Sequence, residues 1–173
     1  MAARTVDDHH VVIDGRRWRA SDPCIPATLR QELVDELMAA RRAVAAAQRR
    51  GAGQAVRDAR ARVQDAKVAL GERGHPWWER DVTDDIVAAR VAAAMRALLR
   101  HRAPTSSICP SDVARVVGGE AWRARMALAR AVAFDLQAEG VVEVRAKGRP
   151  VTRLARGPIR IARGPRWPAD ADE

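Results

Sequence analysis

Apolar residues recur along the chain at spacings of three and four. Leu29, Leu33, Leu37, Ala40, Val44 and Ala47 form one series, and Val56, Ala59, Val63, Ala66 and Leu70 form a second. Each predicts a helix with a single apolar seam. Gly51-Ala52-Gly53 separates them, and so short a connection makes the two helices antiparallel neighbours. Upstream, Val11-Val12-Ile13 and Arg16-Arg17-Trp18-Arg19 flank Asp14-Gly15. That pair predicts a β-hairpin, because a type I′ turn needs positive φ at both central residues. Ser21-Asp22-Pro23 then ends the strand, and Pro26 suits the first turn of a helix, where a missing N–H costs little. Gly71 and Gly74 end the second helix, and His75-Pro76-Trp77-Trp78-Glu79 marks a boundary.

Beyond that boundary Thr83 is placed as an N-cap, with Asp84 and Asp85 at the positive end of the next helix. Val87, Val91, Met95 and Leu98 fall on one of its faces and Arg90, Arg96 and Arg100 on the other. Ile108 reads as a one-residue strand, and Pro110 opens a second helix that stops at Gly118-Gly119. A third helix is predicted from Glu120 to about Ala138, with a core stripe of Trp122, Met126, Ala129, Val132, Ala133 and Leu136. Its outer face is Ala124, Ala127, Ala131 and Ala138, and Phe134 projects away from the stripe. Two β-branched stretches follow, Val141–Val144 and Pro158–Ile161, joined by an Arg-rich segment. Helix, helix, then a basic two-stranded wing is the order of a winged helix-turn-helix.

The predicted fold class is therefore mainly α with small β-hairpins: an antiparallel helical hairpin followed by a winged helix-turn-helix domain. The expected divisions are 1–80, 81–166 and an acidic flexible tail at 167–173. Composition agrees with helices rather than a large sheet, since aromatics are 3% and Ala is abundant.

Charge narrows the class of partner. The net charge of +9 points to a polyanion, either nucleic acid or an anionic membrane surface. Its distribution says more than its total, because only Lys67 and Lys147 are lysine and a GC-rich coding bias would also enrich Arg. Over 141–168 eight cations, Arg145, Lys147, Arg149, Arg153, Arg156, Arg160, Arg163 and Arg166, face Glu143 alone. Such bias does not by itself concentrate charge in one stretch.

Other chemistry is sparse. Cys24 and Cys109 have no CxxC and no His at ligand spacing, so no metal, cofactor or disulfide framework is expected. His9-His10 reads as a solvated pair. No segment approaches the ~20 apolar residues of a membrane span, and a cytoplasmic protein is expected. Asp81, Asp84 and Asp85 lack a His, a nucleophile or a phosphate loop, and are better explained by capping. No catalytic residue and no enzyme are read here.

The candidate nucleic-acid-binding residues are Arg123 and Arg130 on the third helix with Arg145, Lys147, Arg149, Arg153, Arg156 and Arg160 on the wing. A recognition helix reads bases mainly through its N-terminal part, which favours Arg123. The Ala-rich outer face admits two uses: it can enter a groove, or it can pack on the N-terminal hairpin. Wing cations commonly contact phosphate. Trp77-Trp78 can stack on bases, although such a pair more often plugs a junction. Arg16, Arg17 and Arg19 either face phosphate or guard an edge strand.

The combination Ile108-Cys109-Pro110-Ser111-Asp112-Val113-Ala114, Trp122-Arg123, Ala138-Glu139-Gly140, Lys147-Gly148-Arg149-Pro150-Val151 and Ala155-Arg156-Gly157-Pro158-Ile159-Arg160 resembles an uncharacterised bacterial family, domain of unknown function 3253. The resemblance covers roughly 85–163 and implies a winged-helix-like fold with no assigned activity. Ile13–Arg19 and Ala66–Gly74 resemble an actinobacterial module sometimes labelled a Tol-type biopolymer transporter. The leading expectation is a non-enzymatic protein that binds nucleic acid, duplex DNA rather than RNA. The alternative is an adaptor whose helical hairpin, residues 29–70, docks a protein partner or a second copy.

Overall fold

The protein's structure, a computed structural model, describes residues 3–79 and 82–168. Asp14 and Gly15 take φ of 50° and 74°, the paired positive values of the predicted turn. They join β2 (His10–Ile13) to β3 (Arg16–Arg19), with Ile13 opposite Arg16. A further strand, β1 (Ala3–Arg4), pairs with β2 on its other side, so the N-terminal element is a three-stranded sheet rather than a hairpin alone. Two residues are too few to show a period of two in the sequence.

The two seams form α1 (Ala27–Arg49) and α2 (Gly53–Ala69), packed against each other. Leu29, Leu33, Leu37, Ala40 and Ala47 on the first are buried, as are Ala59, Ala66 and Leu70 on the second helix and at its end. Val44 and Val63 are half-buried. Each buried leucine contributes about 1.5–3 kcal/mol through area removed from water.

Both helices lean on α3 (Asp84–His101), the central helix of the fold. Its apolar face is as predicted, and Ala93, Ala94, Ala97 and Leu99 are buried as well. The cationic face is turned to the helical hairpin rather than to water. Arg96 and Arg100 both reach Asp65 on α2, at 2.7 Å each, and Arg90 reaches Asp22 at 2.9 Å. Arg102, just past α3, spans Glu32 of α1 and Asp112. Its hydrogen bond with Glu32 holds that guanidinium above its ordinary pKa. Charges that look like a solvated stripe in the sequence are thus ion pairs between the halves. One apolar cluster runs from Ile25 through α3 to Ile161.

After α3 come β4 (Ser107–Ile108) and α4 (Pro110–Gly118). Asp112 accepts from the Cys109 backbone N–H at 3.1 Å and fixes the start of α4. Thr83 occupies the N-cap of α3, but its side chain makes no capping hydrogen bond. The predicted third helix is divided. Gly119–Arg125 is a 3-10 segment, Ala121 leaves the helical region at ψ 17°, and α5 is Met126–Ala138. Gly119 passes so close to the N-terminal loop that an added Cβ would lie 2.9 Å from that of Cys24. The apolar spacing of Trp122 and Met126 does not distinguish this tighter winding from an α-helix.

Phe134, set off the core stripe, is nonetheless buried. It lies on the α5 flank covered by the loop that follows, where the Arg153 guanidinium sits 5.9 Å from its ring. The outer face predicted for the third helix is not covered by the helical hairpin: Ala124, Ala127 and Ala138 are exposed and Ala131 half-buried. The chain then forms β5 (Val142–Ala146), β6 (Arg149–Pro150) and β7 (Arg160–Arg163). With β4 they make an antiparallel sheet in the order β4-β7-β5-β6. Ile108, Ile161 and Val144 stand side by side across three strands, and all are fully buried. The acidic tail expected over 167–173 lies, past Pro168, outside the described residues, and so does Asp81. Trp167 itself packs on the core.

Candidate nucleic-acid interface

Lys147 and Gly148 form the tip of the β5–β6 hairpin, with φ of 50° and 76° and Ala146 opposite Arg149. This is again the paired positive geometry of a two-residue turn, and it projects Lys147 and Arg149 into solvent. The segment from Val151 to Ile159 then crosses beside α5, held there by two of that helix's side chains. Gln137 accepts from the Val144 N–H at 2.5 Å and donates to the Val151 carbonyl at 2.9 Å. Arg130 donates to the carbonyls of Ala155 and Gly157 at 2.9 and 3.0 Å. The loop therefore has a defined path without regular structure of its own.

These bonds sort the eight candidate cations. Arg130 ties α5 to the loop. Arg145 pairs with Glu143 beside it on β5, and Arg153 pairs with Asp135 of α5. Arg160 donates to the Ser107 hydroxyl at 3.0 Å and to its carbonyl at 2.7 Å, bracing β7 against β4. Lys147, Arg149 and Arg156 are exposed, with no side-chain partner among the described residues. Arg145 is half-exposed and Arg160 exposed, as strand alternation predicts. Arg163 turns inward to the carbonyl of Leu99 at 3.0 Å.

Arg123 projects from the 3-10 segment. Its guanidinium carbon and that of Arg115 each lie 4.6 Å from the centre of the Trp122 ring. Such contacts are worth about 0.5–1 kcal/mol each at exposed sites. Trp122 packs on the core and presents two guanidinium groups at the surface beside exposed Ala124 and Ala127. Sequence reasoning singled out Arg123 but missed Arg115, whose partner ring lies across the Gly118-Gly119 break.

Residues 88–164 match the model of a family described as a protein of unknown function (DUF3253). The match runs from within α3 to just past β7. It takes in every candidate cation named above and leaves out α1, α2 and the N-terminal sheet. The C-terminal resemblance is supported in this way; the N-terminal resemblance to a Tol-type module is not shown. No curated protein matches the chain.

The other residues singled out by sequence lie away from this surface. His9 and His10 are not a solvated pair. His9 stacks on Trp78 at 4.1 Å, and His10 meets the same ring edge-on. Trp77 donates through its indole N–H to the Ala20 carbonyl at 2.9 Å. The tryptophan pair thus fastens the N-terminal sheet to the loop after α2. Arg16 and Arg17 lie on the edge strand β3 and are exposed, while Arg19 donates to the Gly74 carbonyl. Cys24 and Cys109 are not joined by a disulfide. Among the described residues no group of three or more His, Cys, Asp and Glu side chains is placed to hold a metal, and no helix is long and apolar enough to cross a membrane.

Proposed function

We propose that residues 81–166 form a winged helix-turn-helix domain and that the protein binds nucleic acid, duplex DNA rather than RNA, without catalysing a reaction. In this reading α4 and the 3-10 segment with α5 are the helix-turn-helix, and the β5–β6 hairpin with the loop to β7 is the wing. The observation that carries it is the exposure of Lys147 and Arg149 on the β5–β6 hairpin and of Arg156 on the adjoining loop, whose path Gln137 and Arg130 fix. Cations displayed on a braced loop can meet phosphates at little ordering cost. In this reading Arg123, beside small exposed alanines, contacts a base edge. Arg145, Arg153 and Arg160 flank these three in the proposed set, although each also has a protein partner.

The adaptor alternative draws less support. Leu33 and Leu37, the large apolar residues on α1 that a partner would use, are buried within the chain's own core.

The test is a salt titration of binding to a labelled 20-base-pair duplex, followed by anisotropy. Phosphate contacts make log K fall linearly with log salt. Lys147→Ala, Arg149→Ala and Arg156→Ala should each weaken binding alike for all sequences and lower the slope by about one. Arg123→Ala should change sequence preference instead. An unchanged duplex affinity at low salt in the Lys147/Arg149/Arg156 triple variant would end this reading.

A further inference from the structure

The N-terminal sheet leaves a cleft against α1. Arg4 pairs with Val11, Val11 with Trp18 and Ile13 with Arg16. Side chains opposite one another in a ladder share a face, so Val11, Ile13 and Trp18 form one apolar surface bordered by Arg4 and Arg16. On the helix side Arg30, Val34, Leu37, Met38 and Arg41 follow one helical stripe. These two surfaces face each other across a cleft of about 760 Å³. They do not close on each other: Ile13 is 45% exposed and Trp18 44%. A sheet face and a helix stripe that are both apolar would ordinarily meet and exclude water.

The inner end of the cleft is polar in a specific way. Lys67 is buried, donates to Glu72 at 3.1 Å, and lies 5.7 Å from the centre of the Trp18 ring. Ser21 donates to the other oxygen of Glu72 at 2.9 Å. The carboxylate is therefore engaged on both oxygens, whereas an ammonium has three donors and one is used. Lys67 lines the cleft, and two of its N–H groups carry no hydrogen bond among the described residues. Six cations line the space against Asp14 and Glu72, so its field favours an anion.

We propose that this cleft binds an amphipathic anion, an unbranched acyl chain ending in a carboxylate. The chain lies between the Val11–Ile13–Trp18 face and Val34 and Met38 of α1, and the carboxylate takes the two remaining donors of Lys67. The volume falls within the roughly 300–1,000 Å³ of small-molecule sites, which pair an apolar lining with a few fixed polar groups. This inference is independent of the nucleic-acid reading, whose residues lie on the wing.

Decanoate is the probe, with decanol as its uncharged counterpart, measured by calorimetry and by quenching of Trp fluorescence. Decanoate should bind with a Kd on the order of 10–100 µM, as expected for a ligand of its size, and decanol at least about tenfold more weakly. Ile13→Glu, at a position already half in water, should cost about tenfold or more by placing a carboxylate beside the chain. Lys67→Met with Glu72→Gln removes both members of the buried pair and should cost about as much by deleting the head-group donors. The Lys147/Arg149/Arg156 triple variant should bind decanoate like the parent. Absence of binding at millimolar decanoate would overturn the proposal, as would equal affinity for decanol. A parent dimer that Ile13→Glu converts to monomer in sedimentation would also overturn it, by giving the face to a second copy.

Discussion

Asp65→Ala is the sharpest test of how the helical hairpin is held to the rest of the molecule. Asp65 receives Arg96 through Nε at 3.0 Å and Nη2 at 2.7 Å, and Arg100 through Nη1 at 2.7 Å. The carboxylate is 11% exposed and the Arg100 side chain 5%. Deleting the carboxylate strands the Arg100 charge where water hardly reaches. Loss of one partner of a buried pair costs about 3–5 kcal/mol, far more than the ~0–1 kcal/mol of a surface pair. Domains are stable by about 5–15 kcal/mol, so the variant should fold yet be plainly weakened. In urea, with m near 2 kcal/mol/M, the midpoint should fall by about 1.5–2.5 M. Helical dichroism and Trp fluorescence would follow the transition. Asp65→Leu with Arg96→Met and Arg100→Met removes all the charges together and should recover most of the loss, because matched apolar replacement of buried pairs is near neutral. A loss below about 1 kcal/mol for Asp65→Ala, or no recovery in the triple variant, would refute the view that a desolvated ion cluster joins α2 to α3.

Three further outcomes are expected. Gly164→Ala should lower stability by about 1–3 kcal/mol, since a Cβ there would lie 2.4 Å from the Gly140 carbonyl oxygen and 2.8 Å from that of Val142; thermal denaturation reads it. Gln137→Ala strips the hydrogen bonds of the Val144 N–H and Val151 carbonyl, and hydrogen exchange should show faster opening of residues 144–158 with α3 unaffected. The Asp7 carboxyl is held below its ordinary 3.8 by the Thr5 hydroxyl first and the His9 backbone N–H second. A depressed folded pKa gives stability that is present above the unfolded value and lost as pH falls through the folded one, so this contribution should vanish only on acidification below about 4. Thr5→Ala should move the Asp7 titration seen by NMR upward, toward 3.8.

What the sequence disclosed, and what it withheld, divides along physical lines. Turn chemistry was legible at Asp14-Gly15, because the paired positive φ values there follow from local sterics. The seams of α1 and α2 were legible because burial has a period. Winding at 119–125 was not, since the apolar spacing of Trp122 and Met126 fits a 3-10 segment and an α-helix alike. Arginine is the harder case. Its long stem and five donors let it serve equally as a phosphate contact, an ion-pair partner or a tie to carbonyl oxygens. Nothing within a few residues of Arg130 says that it will end on the Ala155 and Gly157 carbonyls, nor of Arg96 that it will end on Asp65. The density of arginine in the last third of the chain therefore overstates the charge offered to a partner. What the fold leaves exposed and unpaired among the described wing residues is Lys147, Arg149 and Arg156, and a binding surface read from this chain must be built from those three outward.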